Sequence, residues 1–232
     1  MDFTLATACV GDKWDPVWVY RLYNMAQAVN KDQFDFKVIC EPEKAEILPE
    51  EWIVPLSRDI VWTSDHHSKV PDSSKLILNV DKPQGCWAKL DFFIDQFGSS
   101  PVLGLDLDVV ILEDLRPLLR EEVHMPEDAP GHLNGSVYSF TPGKTGWKPP
   151  AKIPYRTYPR GEQEYVQNCT GAKPLTDCYS FKNNVASRPG KEPPPGARIV
   201  FFHGRPTPAT DNLQQFHWIS RTWKGLDRVE RI

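Results

Sequence analysis

Twelve residues near the middle of the chain, Pro101-Val-Leu-Gly-Leu-Asp-Leu-Asp-Val-Val-Ile-Leu112, restrict the fold more than any other stretch. A short run dense in Val, Leu and Ile reads as a buried strand, most often in a parallel sheet. Asp106 and Asp108 interrupt it, and a carboxylate among apolar residues is costly unless a partner neutralises it. On an extended chain, side chains two residues apart project to one face, so both carboxylates are expected to converge. A convergent pair suits a hard divalent cation, magnesium or manganese, with its other positions open to phosphate oxygens. An Asp-x-Asp arises readily by chance in an Asp-rich chain; the apolar setting is what makes this one informative.

At 232 residues the chain can bury a substantial core, and one α/β domain with insertions is the simplest arrangement. Its 22 Pro predict many ordered loops rather than long helices. No apolar stretch approaches the roughly 20 residues of a membrane span. The start, Met1-Asp-Phe-Thr-Leu-Ala, lacks the basic residues and cleavage site of a signal peptide. Cys9, Cys40, Cys86, Cys169 and Cys178 are odd in number and form no Cys-x-x-Cys, which predicts reduced thiols in a cytoplasmic protein. The formal charge of −4 conceals an asymmetry. Residues 1–143 carry 12 Lys and Arg against 24 Asp and Glu, and residues 144–232 carry 15 against 7. A basic half points to an anionic partner, or else to solvated loops that meet only a nucleotide's phosphates.

Phe3-Thr-Leu-Ala-Thr-Ala-Cys-Val10 reads as a first strand, closed by the polar turn Gly11-Asp-Lys-Trp. Asp15-Pro16 supplies a cap and a first helical Pro, and Val19, Leu22, Tyr23, Ala26 and Val29 follow at helical spacing. Phe36–Cys40 and Leu76–Val80 read as strands, and Trp87, Leu90, Phe93 or Ile94, and Phe97 mark a helix before the acidic run. Lys89 falls on its first turns, a surface position unless that end faces the carboxylates. Alternating helix and strand predicts a parallel sheet with helices packed on it, and ligands at the carboxyl ends of its strands. Asn134–Phe140 and Ala197–His203 read as later strands, with Leu213, Phe216, Ile219 and Trp223 on a closing helix. Thr141–Arg160 and Arg188–Gly196 are too aperiodic for either element and read as binding loops, lids or connectors.

Four stretches carry a resemblance in one order: Thr4-Leu-Ala-Thr on the first strand, Trp87-Ala-Lys-Leu, Leu105-Asp-Leu-Asp-Val, and Phe202-His-Gly-Arg-Pro-Thr-Pro. Asn134-Gly-Ser-Val and Gly161-Glu-Gln-Glu-Tyr resemble two further family elements, Asn-Ser-Gly-Val and Gly-Asp-Gln. Together they resemble a GT-A glycosyltransferase, most similar to the retaining glycogenin and lipopolysaccharide galactosyltransferase type, glycosyltransferase family 8. The resemblance implies one GT-A, Rossmann-like α/β domain over residues 1–232, with a mostly parallel central sheet flanked by helices. Residues 1–112 would form the nucleotide-sugar half and residues 113–232 the acceptor half.

The same resemblance assigns roles. Asp106, Asp108 and His203 would hold one metal, and a mixed N/O set with open positions favours manganese, with magnesium as the other choice. Thr7, Ala8, Val10, Lys13, Leu107, Asn134, Ser136, Gly204 and Arg205 would line a nucleotide sugar, expected to be a UDP-sugar. Lys89 would contact the donor sugar or the Asp-x-Asp carboxylate. Gln163 would lie near the anomeric carbon, with Glu162 where the family has Asp. Thr207 replaces the family's diphosphate-binding Lys, and Arg205 offers a bidentate substitute.

The implied reaction is sugar transfer, with retention, to a hydroxyl. Polysaccharide, protein and hydroxymethylated pyrimidine in DNA are all open as acceptors, and the basic second half places DNA first. A GT-A-like nucleotidyltransferase or phosphohydrolase would use the same carboxylates, but the chain lacks the Gly-rich basic loop that holds a triphosphate. A metal-silent sugar-nucleotide binding protein is a third class, against which the intact Asp106, Asp108 and His203 count.

Overall fold

The structure is a computed structural model that describes residues 2–11, 13–57, 85–150, 157–203 and 213–223. In chain order the strands are β1 (Phe3–Cys9), β2 (Phe34–Cys40), β3 (Ile53–Pro55), β4 (Val102–Leu105), β5 (Val110–Ile111), β6 (His124–Met125), β7 (Glu127–Ala129), β8 (His132–Leu133), β9 (Val137–Phe140), β10 (Lys173–Pro174), β11 (Cys178–Ser180) and β12 (Ile199–Phe201). The α-helices are α1 (Val17–Asn30), α2 (Pro42–Ala45), α3 (Glu162–Thr170) and α4 (His217–Trp223).

Seven strands form the central sheet in the order β10-β6-β9-β4-β1-β2-β3. β1 pairs in parallel with β2 on one side and β4 on the other, and β3 extends the parallel run. β9 reverses it, lying antiparallel to both β4 and β6. The sheet is therefore mostly parallel, with one inserted antiparallel strand. The chain leaves β1 toward β2 and returns on the far side as β4, so the order reverses between β1 and β4. That crevice is where an open α/β sheet binds ligands.

Alternation along β1 and β4 decides the layers. Phe3, Leu5, Leu103 and Leu105 pack with Val19, Leu22 and Met25 of α1 and with Trp218 and Ile219 of α4. Ala6 and Val102 turn to the other face, against Trp87, Leu90, Phe92 and Phe93. Helix α1 starts as its sequence predicts: Asp15 Oδ1 accepts the Val17 N–H at 2.8 Å, directly after which Pro16 already has helical φ and ψ. At its end, Asn30 Oδ1 accepts the buried N–H of Leu115 at 2.9 Å, fastening the helix to the chain beyond β5.

Three expectations are corrected. The segment from Trp87 is a 3-10 helix, Gly85–Phe93, followed by a second short one, Asp95–Phe97. Three residues per turn puts Trp87, Leu90 and Phe93 on one ridge, and Ala88, Asp91 and Phe92 are buried as well. A segment enclosed on all sides has no solvent face to set an α-helical period. The 101–112 run is not one strand: β4 ends at Leu105, Leu107 and Asp108 lie in a turn, and β5 joins a different sheet, β11-β12-β5. The closing helix splits into a 3-10 turn, Leu213–Gln215, and α4. The predicted strand Leu76–Val80 lies outside the described residues.

Gly104 shows how tightly these layers meet. A Cβ there would lie 2.6 Å from the Phe92 ring, which is itself fully buried. Gly104→Ala is expected to destabilise the fold by about 1–3 kcal/mol through overpacking. Urea unfolding should show a lower midpoint at unchanged slope.

Candidate active site

The crevice is built from backbone first. Thr7 Oγ1 donates to the Leu105 carbonyl at 2.8 Å, locking the carboxyl ends of β1 and β4 together. The Asp106 N–H donates to the Ser136 carbonyl at 2.9 Å, tying the acidic segment to the loop before β9. Asp106 and Asp108 leave the strand here, so a turn brings their carboxylates together and strand alternation does not. Leu107 between them is buried in the core.

Lys89 is the hub. Only 8% exposed, it contacts Asp106 Oδ1 at 2.9 Å and Glu162 Oε1 at 2.8 Å, and donates to the Gly135 carbonyl at 2.8 Å. Burial works against its charge, but the two carboxylates outweigh it and hold the ammonium above its ordinary value. The default of a surface lysine is overturned because the 3-10 helix delivers this side chain into the crevice. Glu162, 3% exposed, also accepts from the Tyr138 hydroxyl at 3.3 Å. Burial, then Glu162, push the Tyr138 hydroxyl and the Cys86 thiol well above their ordinary range, so both stay neutral.

Two glycines allow this packing. A Cβ on Gly135 would lie 2.6 Å from both Glu162 Oε1 and the Tyr138 hydroxyl. Gly161 sits at φ 79° immediately before α3, a positive-φ conformation open mainly to glycine, and Glu162 and Gln163 follow as the first helical residues. Gln163 Oε1 accepts the Gly135 N–H at 3.0 Å. Asn134 Oδ1 accepts the Ser136 N–H at 2.8 Å, folding Asn134–Ser136 into a tight turn. Lys89, Asp106, Asn134, Ser136, Glu162 and Gln163 thus belong to one hydrogen-bonded unit.

Asp108 is buried, 5% exposed, and its carboxyl is pushed up to about 7, first by burial and then by Asp106. Lys13 opposes this from 3.9 Å. Thr7 and Val10 are buried and Ala8 half-buried at the end of β1. Two residues without a sequence signal shape the loop that follows: Glu41 Oε2 accepts the Gly11 N–H at 2.9 Å, and Lys44 donates to the carbonyls of Gly11 and Trp14.

Asp106 and Asp108 offer carboxylate oxygens of the kind a hard divalent cation takes, although Lys89 and Lys13 are the cations that face them here. His203 stands apart. Its Nε2 lies 2.8 Å from Ser180 Oγ, and among the described residues no three His, Cys, Asp or Glu side chains gather as a ready metal site. Burial, and Lys182 secondarily, hold the ring below its ordinary value, against the pull of Asp128, which favours the neutral form a metal requires. Asp128 was not legible in the sequence. It accepts from Asn134 Nδ2 at 3.1 Å through its side chain and from Asn183 Nδ2 through its carbonyl at 2.6 Å. Gly204, Arg205 and Thr207 lie outside the described residues.

Because ionised Asp108 is strained, Asp108→Asn is expected to stabilise the protein in EDTA by roughly 1–3 kcal/mol at pH 8. A raised carboxyl gives the wild type its full stability only below its unfolded value near 4, and loses it as pH rises through about 7. The advantage of the variant should therefore be absent below pH 4, grow up to about pH 7 and then level off. Chemical denaturation across that range checks it.

No protein-family model and no curated protein matches the chain. Solved structures do. The galactosyltransferase LgtC in complex with donor and acceptor sugar analogues superposes with a TM-score of 0.63 at 13% identity, over 99% of this chain and 97% of that one. An LgtC active-site mutant with glutamate in place of glutamine gives 0.61 at 12%, over 97% and 95%. The glycosyltransferase GlyE of Streptococcus pneumoniae TIGR4 gives 0.59 at 13%, over 97% of this chain and 62% of GlyE, less than two thirds of its length. At these identities the likeness is one of fold: the chain has the GT-A fold of these glycosyltransferases.

Proposed function

We propose that the chain is a metal-dependent glycosyltransferase that moves a sugar from a UDP-sugar to a hydroxyl acceptor with retention. The observation that carries this reading is the buried Lys89, bridging Asp106 and Glu162 beside Gln163 at the β1/β4 crevice. The likeness to LgtC, whose complex holds donor and acceptor sugar analogues, supports it.

Asp106 and Asp108 would hold manganese or magnesium, with His203 as third ligand once its ring leaves Ser180. The bound cation supplies positive charge against the leaving diphosphate. The remaining chemistry belongs to the chain. Thr7, Ala8, Val10 and Lys13 border the nucleotide, mostly through the backbone at the end of β1. Lys89 fixes Asp106 and presents its charge toward the donor. Glu162 shares Oε1 between Lys89 and Tyr138 and so holds the Lys89 ammonium in place. Gln163 Oε1 accepts one hydrogen bond from Gly135 and keeps a second lone pair, which can face an oxocarbenium-like centre.

UDP is expected to raise the melting temperature far more with manganese than with EDTA. Gln163→Ala should keep that metal-dependent shift and lower transfer by about 100-fold. Equal shifts with and without metal refute the metal assignment. Release of UMP and sugar 1-phosphate, with no transfer to any acceptor, would favour the phosphohydrolase reading.

We infer DNA as the acceptor from the charge of residues 144–232. Several of those cations are already engaged within the protein: Arg160 lies 2.9 Å from His132 Nδ1 and donates to the Leu133 carbonyl, Lys173 pairs with Glu122, and Arg198 donates to the Asp114 carbonyl. DNA binding should fall with rising salt at a slope of about −0.9 per phosphate neutralised. No affinity for duplex at low salt removes DNA and leaves a polysaccharide or protein hydroxyl.

A further inference from the structure

Two lysines face the aspartate pair, and they differ in freedom. Lys89 is enclosed and holds three partners within 2.9 Å. Lys13 has a side chain 42% exposed, and its ammonium lies 3.9 Å from Asp108 Oδ2, whose own side chain is 7% exposed. The same ammonium lies over the Trp14 ring at 4.4 Å, a soft contact that does not fix direction. The backbone on either side is fixed. Glu41 accepts the Gly11 N–H, and Lys44 donates to the carbonyls of Gly11 and Trp14. An exposed lysine side chain, flanked by the hydrogen-bonded backbone of Gly11 and Trp14, thus lies at the rim of a buried carboxylate.

We propose that Lys13 is a displaceable counter-ion: it competes with the divalent cation for Asp108 and passes to the donor's diphosphate when the metal takes that carboxylate. The proposal rests on the metal-dependent reading above. An ammonium beside a carboxylate that gains a divalent ion meets net repulsion. The four-carbon stem lets it retreat without moving the clamped loop, and the diphosphate is the anion that the metal brings next to it. Glu41 and Lys44 act as positioning residues, since they hydrogen-bond the backbone at Gly11 and Trp14 on either side of Lys13.

Lys13 must then affect two affinities in opposite directions, whereas a residue that only maintains the loop would weaken both. The test is Lys13→Met, with Lys13→Arg as the charge-retaining control, read by electron paramagnetic resonance of free Mn2+ and by calorimetry of UDP. Without nucleotide, Lys13→Met is expected to bind Mn2+ about threefold to tenfold more tightly than wild type. At saturating Mn2+ it should bind UDP about tenfold more weakly. Lys13→Arg should resemble wild type in Mn2+ affinity. Unchanged or weaker Mn2+ binding by Lys13→Met overturns the competition, and unchanged UDP binding overturns the transfer to phosphate. Absence of Mn2+ binding in wild type and variants alike overturns the metal reading of the site, and Lys13's role with it.

Discussion

A buried lysine shared by two carboxylates organises this molecule. Removing Lys89 would leave the buried Glu162 without its cation, a loss on the order of 3–5 kcal/mol for a buried pair, and the more open Asp106 without its ion-pair partner. Its ammonium also takes the Gly135 carbonyl, so one charge joins the 3-10 helix, the segment after β4, the turn before β9 and the start of α3. Those four pieces come from residues far apart in the chain. Their meeting point is also where the strand order reverses, so stability and ligand geometry depend on the same contacts.

Close approach is the second constraint. Gly104 admits the Phe92 ring against the sheet, and Gly135 admits Glu162 and Tyr138 against the turn. Neither position tolerates a side chain without moving a buried neighbour. The aromatic layer over this face, in which Phe93 stacks on Phe140 at 4.3 Å, supports the 3-10 helix from the opposite side. Packing therefore holds Lys89 where electrostatics alone would only attract it. At the carboxyl end of β1 the arrangement is looser, and the Lys13 side chain stays largely exposed to solvent.

Much of this was legible in the residues. The first strand read at Phe3–Val10, the Asp15-Pro16 cap with the helical spacing after it, and the apolar setting of Asp106 and Asp108 pointed to an α/β sheet with acidic residues at its carboxyl edge. These are local signals: hydrophobic period, turn chemistry and the cost of burying charge act within a few residues. The resemblance of Trp87–Leu90 and Gly161–Tyr165 to family elements marked Lys89, Glu162 and Gln163, though spacing alone left Lys89 on the surface.

Tertiary structure decided what local signals do not encode. The acidic run became two strands in two sheets because β5 finds its partner in β12, nearly 90 residues later, and the turn this forces converges the carboxylates. The helix before it wound as 3-10 because it is enclosed on every side, leaving no solvent face to impose an α-helical period. Glu41, Lys44, Asp128 and Ser180 carry no motif; each matters only through a partner brought close by folding. The sequence by itself determined that Asp106 and Asp108 set charge into an apolar run, because that cost is local. The fold determined which cation answers which carboxylate, because a buried charge is satisfied only by the partner that packing places beside it.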